Sequence, residues 1–140
     1  MAVALFVISF GTTAAVHAAD KEKSIYDSKG EAVAYIAFDD ELTIYLWKGE
    51  PVAYLKKKGR DIHVYSFKGN HLGWFENGIV WDHKGYVVGF VEGAVNKMTK
   101  LEPIKGIRKI TPIRSIEKIP PTKPVFKKTF SGTTLTALLR

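Results

Sequence analysis

Along residues 24–95 one pattern of apolar and polar positions is repeated. Ile25–Ile36 (IYDSKGEAVAYI), Ile44–Leu55 (IYLWKGEPVAYL), Val64–Phe75 (VYSFKGNHLGWF) and Val80–Val91 (VWDHKGYVVGFV) superpose on a Lys-Gly pair, at offsets of 19, 20 and 16 residues. The shared form is [IV]-[YW]-x-x-K-G-x-x-[VL]-[AG]-[YWF]-apolar: two short apolar runs around a polar centre, the signature of a β-hairpin. Gly30, Gly49, Gly69 and Gly85 hold the site where a type I turn passes into a left-handed bulge residue. Such a turn sets Asp27 opposite Glu31, Tyr26 opposite Ala32 and Ile25 opposite Val33. Strand alternation then places Ile25, Val33 and Tyr35 on one face and Tyr26, Ala34 and Ile36 on the other.

The tenth position is always small, Ala34, Ala53, Gly73 or Gly89, and always flanked by large residues, which suits close approach of neighbouring backbones around a central axis. The links Ala37–Thr43, Lys56–His63 and Glu76–Ile79 carry the turn formers Asp39-Asp40, Gly59-Arg60 and Asn77-Gly78, the last a type I′ candidate. The expected fold is all-β: four consecutive antiparallel hairpins in pseudo-four-fold arrangement, followed by an extended Pro/Ile/Lys-rich tail. In its four [IV]-[YW]-x-x-K-G-x-x-[VL]-[AG]-aromatic units, its HLGWF run at His71–Phe75 and its WDHKG run at Trp81–Gly85, the chain resembles the bacterial four-fold β flower domain. The resemblance covers residues 24–95 and implies a flower of short hairpins with no assigned activity. Tyrosine-aspartate shell repeats and membrane-occupation repeats also build tandem hairpins, but their lengths and aromatic placement fit less well.

The pattern changes after residue 96. Met98, Leu101, Ile104, Ile107, Ile110, Ile113, Ile116 and Ile119 fall at every third position, a period that neither an α-helix nor a β-strand produces. Polyproline II does, and Pro103, Pro112, Pro120, Pro121 and Pro124 favour it over a long 3₁₀ helix. A line of exposed isoleucines is an aggregation hazard. The ridge Ile104, Ile107, Ile110, Ile113, Ile116 and Ile119 is therefore expected to pack on the hairpin domain or across a homo-oligomer. Lys105, Arg108, Lys109, Arg114 and Lys118 would then face solvent or an anionic partner such as phospholipid headgroups. Residues 131–140 end in Leu135-Thr136-Ala137-Leu138-Leu139, a short terminal strand or helical turn.

Charge follows the same division. The chain of 140 residues carries a formal +7, yet residues 20–96 hold ten Lys/Arg against twelve Asp/Glu, whereas residues 97–140 hold eleven against two, or +9. At the other end residues 1–19 are uncharged and apolar, with Val16-His17-Ala18 supplying small side chains at −3 and −1 of a cleavage site. They are assigned as a signal peptide, implying a periplasmic or secreted protein, although no Lys or Arg precedes the apolar stretch. Gly11-Thr12-Thr13 interrupts that stretch too early for a spanning anchor.

Candidate chemistry is sparse. With no cysteine, disulfides, Cys-ligated zinc and thiol catalysis are excluded. His63, His71 and His83 stand singly without metal-ligand spacing, and no metal or cofactor is implied. A composite His71/Asp82/His83 site is the one hydrolytic arrangement conceivable, against exposed turn polars. Trp47 and Phe67 share the site just before the Lys-Gly pair, where they offer a tip platform for a sugar or peptide unless the tail covers them. The basic residues are not interleaved with aromatics in a groove, so nucleic acid is not the expected partner. The sequence favours an exported structural or binding module, reading a protein, peptide or envelope component through its tips or tail, over an enzyme. A carbohydrate-binding module is the alternative.

Overall fold

The computed structural model describes residues 21–140, so the leader assigned to residues 1–19 lies outside the described residues. Eight strands run in chain order: β1 (Glu22–Tyr26), β2 (Ala32–Ala37), β3 (Thr43–Leu46), β4 (Pro51–Lys58), β5 (Asp61–Ser66), β6 (His71–Glu76), β7 (Ile79–Trp81) and β8 (Val87–Phe90). Each pairs antiparallel with the next, and β8 returns to β1 through Tyr26 and Phe90 to close a barrel. The protein is thus an all-β molecule of four consecutive hairpins.

Every hairpin turn is built alike. At the first, Gly30 N–H donates to Asp27 O and Asp27 N–H to Glu31 O, both at 2.9 Å. The Asp27 carboxylate accepts from Lys29 and Glu31 N–H. The four turn glycines have φ of +78°, +101°, +85° and +85°. One step into each hairpin the register shifts, between Ile25 and Tyr26, Ile44 and Tyr45, Val64 and Tyr65, and Val80 and Trp81. Tyr26 faces Ala32 as the turn geometry requires, but Ile25 faces Ala34 rather than Val33. This corrects the expected face assignment. The bulge at Val33 turns Val33 and Ala34 to the same side, so Ile25, Ala34 and Ile36 share one face and Tyr26, Ala32 and Tyr35 the other.

The bulges sort the side chains by chemistry. Aliphatic residues, including Ile25, Ile36, Ile44, Leu55, Val64 and Val80, form one buried cluster. Into it the C-terminal helix α1 (Leu135–Leu139), capped by Thr134, inserts Leu135 and Leu139. Aromatic residues hold the opposite face: Tyr26, Tyr35, Tyr45, Trp47, Trp74, Trp81 and Phe90 in one cluster, and Tyr54, Tyr65 and Phe67 in another. The small tenth position is crowded: a Cβ on Gly73 would run into the backbone carbonyl of Trp81, and one on Gly89 would come within 2.9 Å of the side chains of Ile25 and Leu135. Asn77 and Gly78, with φ of +54° and +76°, make the tight link between β6 and β7. The β2–β3 link turns through Asp39 and Asp40 as expected, with Glu41 and Leu42 adding two left-handed residues before β3.

Gly59 and Gly69 separate backbone strain from contact. Both have positive φ, but a Cβ on Gly59 meets open space, whereas on Gly69 it would run into the Ile116 carbonyl of the tail. Gly59→Ala should cost about 1 kcal/mol, the left-handed penalty alone. Gly69→Ala should cost clearly more in urea unfolding, and its tail amides should exchange faster with solvent.

Candidate functional site

From Met98 to Lys127 the tail contains neither helix nor strand, and its amides bond to the hairpin turns. Lys100, Lys109, Lys118 and Lys127 donate their N–H groups to the carbonyls of Gly30, Gly49, Gly69 and Gly85 at 2.8–2.9 Å. These anchors are nine residues apart, one per hairpin. Gly106 and Ser115 add N–H bonds to the carbonyls of Trp47 and Phe67, both at 2.9 Å. Nine residues are three turns of a three-residue helix, so the same side of the tail meets every turn.

The three-residue period is present, but the face turned inward is not the isoleucine face. Glu102, Lys105, Arg108, Thr111, Arg114, Glu117 and Lys123 reach the barrel. Tyr26 Oη donates to Glu102 at 2.8 Å, Tyr54 Oη to Glu117 at 2.8 Å, and Tyr45 shares a hydrogen-bonded group with Asp40 and Thr111. Arg108 pairs with Glu22 at 2.7 Å and Asp39 at 3.2 Å, and Lys123 with Asp61 and Glu76. Arg114 lies 3.8 Å from the centre of the Tyr54 ring, and Lys105 pairs with Glu22 while covering Tyr35 and Trp47. At the fourth hairpin Phe126 stacks on Trp81, centroids 4.4 Å apart.

The expected ridge is therefore inverted: Met98, Leu101, Ile104, Ile107, Ile110, Ile113, Ile116 and Ile119 are 90–98 % exposed. Lys105, Arg108 and Arg114, expected in solvent, are drawn inward. Only Lys109 and Lys118 of the predicted basic set stand outward. The reason is the surface being covered. Its rim carries tyrosine hydroxyls and carboxylates, which need polar partners when buried. Burial opposes the charge on Glu22, but hydrogen bonds from Lys105 and Arg108 together outweigh it and hold the carboxyl below its ordinary range. The Tyr45 hydroxyl holds Asp40 low in the same sense. Burial, then the Glu102 carboxylate, pushes the Tyr26 hydroxyl up to about 12.

Trp47 and Phe67 do not form an exposed platform. Both are buried, the indole of Trp47 donating to the Pro103 carbonyl at 2.9 Å. In the fourth hairpin the equivalent residue is His83, and it joins a line of histidines. His63 Nδ1 lies 2.9 Å from His71 Nε2, and His71 Nδ1 lies 2.9 Å from His83 Nε2. His63 and His71 are buried rather than exposed turn polars, with Trp74 against His71 at 4.7 Å between ring centres. Neutral imidazoles satisfy this line head to tail, with the central His71 giving one proton and accepting one. Burial, followed by repulsion from His83 and His63, pushes His71 down to about 4, and burial also lowers His63.

His83 opens on a cavity of about 350 Å³ bordered by Asp82, Lys84, Tyr86, Ser131, Gly132, Thr133 and Leu138. Asp82 does not join the histidines. Its carboxylate accepts from Lys84 N–H, Tyr86 N–H and the Ser131 hydroxyl, at 3.0, 2.8 and 2.6 Å. Among the described residues no group of three His, Asp or Glu side chains converges to hold a metal ion.

Two features escaped the sequence reading. His63 precedes its repeat unit and had no neighbour in sequence to mark it. The tail's nine-residue repeat was legible as K100-L-E-P, K109-I-T-P and K118-I-P-P, but the shorter apolar period masked it.

The inverted tail predicts inverted mutational effects. Ile107/Ile113→Ser should change stability by less than about 0.5 kcal/mol, whereas Arg108→Gln, at a site 29 % exposed, should cost about 1 kcal/mol in urea unfolding. The histidines predict a separate pH effect. The folded pKa of His71, about 4, lies below its unfolded value of 6.5, so protonation of the unfolded chain removes stability as pH falls between them. The loss is on the order of 3 kcal/mol at 1.4 kcal/mol per unit. Melting temperature should drop across this window, and His71→Gln should flatten the slope. The carboxylates with lowered values act at lower pH, below 4.5.

Searches of curated proteins and of solved structures find no match to the chain. The sequence profile described as 4-fold beta flower protein matches residues 23–139, which takes in the tail and α1 as well as the hairpins. With four bulged hairpins closed into one barrel and the profile spanning barrel and tail alike, the chain belongs to the 4-fold beta flower protein family.

Proposed function

We propose that the protein is an exported binding and structural module, not an enzyme, and that it meets its partner through the tail rather than the hairpin tips. One observation carries this: eight large apolar side chains in a row are almost wholly exposed on a segment whose backbone is fixed to all four turns. An exposed line of that kind is costly to keep unless something docks on it. The tips have lost their claim, because Trp47 and Phe67 lie beneath the tail, which also weakens the carbohydrate-binding alternative. The composite hydrolytic site is weakened too, since all the hydrogen bonds found at Asp82 serve its own turn and Ser131. Export rests on the apolar leader and its small residues before Asp20.

The test is to compare the protein with Ile107/Ile110/Ile113→Ser, which preserves the inward face, on glycan, peptide and lipid arrays. Wild type should bind at least one class and the variant should lose it. Identical profiles for the two proteins would overturn the proposal.

A further inference from the structure

Resting on that proposal, the structure assigns an occupant to the ridge: the surface of an anionic lipid bilayer. The outward side of the tail combines two chemistries and lacks a third. Apolar side chains recur every three residues from Met98 to Ile119, with Val125 beyond them. An exposed lysine recurs in successive nine-residue units at Lys100, Lys109 and Lys118, whereas the fourth, Lys127, holds its ammonium 4.6 Å from the centre of the Tyr86 ring of the barrel. Lys109 and Lys118 have no ion pair among the described residues, and Lys100 has only a 3.4 Å contact with Glu31. The two acidic residues after 96, Glu102 and Glu117, are engaged with Ser24, Tyr26, Tyr54 and Lys58 of the barrel. What remains outside is apolar and cationic without carboxylates, the combination that headgroup and acyl boundaries attract.

A second copy of this chain is the weaker occupant, because apposed ridges would bring together two segments each carrying +9 between residues 97 and 140. The isoleucines also protrude singly, and a fluid headgroup layer can admit each one between lipids. The segment pays little ordering entropy on docking, since the turn carbonyls already hold its backbone.

Co-sedimentation of the full chain with vesicles tests this, using phosphatidylcholine containing about one third phosphatidylglycerol against phosphatidylcholine alone. The chain should bind the anionic vesicles at least about tenfold more tightly than the neutral ones, and binding should weaken as NaCl rises from about 0.05 to about 0.5 M. Ile107/Ile110/Ile113→Ser should weaken binding about tenfold with an unchanged melting temperature, and Lys109/Lys118→Gln should do the same. Equal binding to both vesicles, or anionic binding untouched by the isoleucine changes, overturns the lipid assignment. Self-association or binding of an array peptide that needs the isoleucines, without vesicle binding, overturns it too while leaving the binding-module proposal standing.

Discussion

Everything outside the barrel depends on where an extended chain sends its backbone amides. A segment that forms neither helix nor sheet has no hydrogen bonds of its own, so its N–H groups must find acceptors elsewhere. Here the acceptors are the carbonyls of four turn glycines, repeated by the pseudo-symmetry of the hairpins and met by Lys100, Lys109, Lys118 and Lys127. Nine residues advance the tail by one hairpin and return the same face to the next. The barrel's four-part repeat therefore imposes a second repeat, of different length, on a segment with no hairpins in it.

The same contact completes the barrel. A small closed sheet of short strands offers little interior, and this one fills it with aliphatic side chains and two leucines of α1. The larger aromatic residues are left on the opposite face, where rings and hydroxyls both need covering. The tail provides carboxylates for Tyr26 and Tyr54, a carbonyl for Trp47, cations above Tyr35 and Tyr54, and a phenyl ring against Trp81. Pseudo-symmetry fixes the positions while the contact chemistry varies from hairpin to hairpin. The line of histidines belongs to this variation: the site of Trp47 and Phe67 becomes His83 in the fourth hairpin, directly beside His71.

Matching the tail's charges to the barrel leaves its isoleucines outside. The barrel-facing side of the tail could have been apolar only if the covered rim were apolar. That rim holds Glu22, Asp39, Asp40, Asp61 and Glu76, whose partners are Lys105, Arg108, Thr111 and Lys123. Leaving such groups unpaired beneath isoleucines would cost more than exposing the isoleucines does. The ridge is thus what remains after electrostatics has chosen the inner face.

The sequence by itself determined the four hairpins, their turn glycines, the order of the blades and the three-residue period of the tail. Each of these is local: a Lys-Gly turn needs a left-handed residue, and a side-chain period reports backbone geometry directly. Which face of each strand pointed inward was not local, because the bulge at Val33 and its equivalents shifts the alternation by one residue and shows only in the pairing. The phase of the tail was not local either. Its period was visible in Ile104, Ile107 and Ile110, but whether they or Lys105, Arg108 and Thr111 met the barrel depended on the hydroxyls and carboxylates awaiting them. His63, His71 and His83 came together through strand pairing. His63 and His71 meet across the β5–β6 hairpin, the pairing of β6 with β7 sets His83 of the next hairpin beside them, and no spacing along the chain records those contacts.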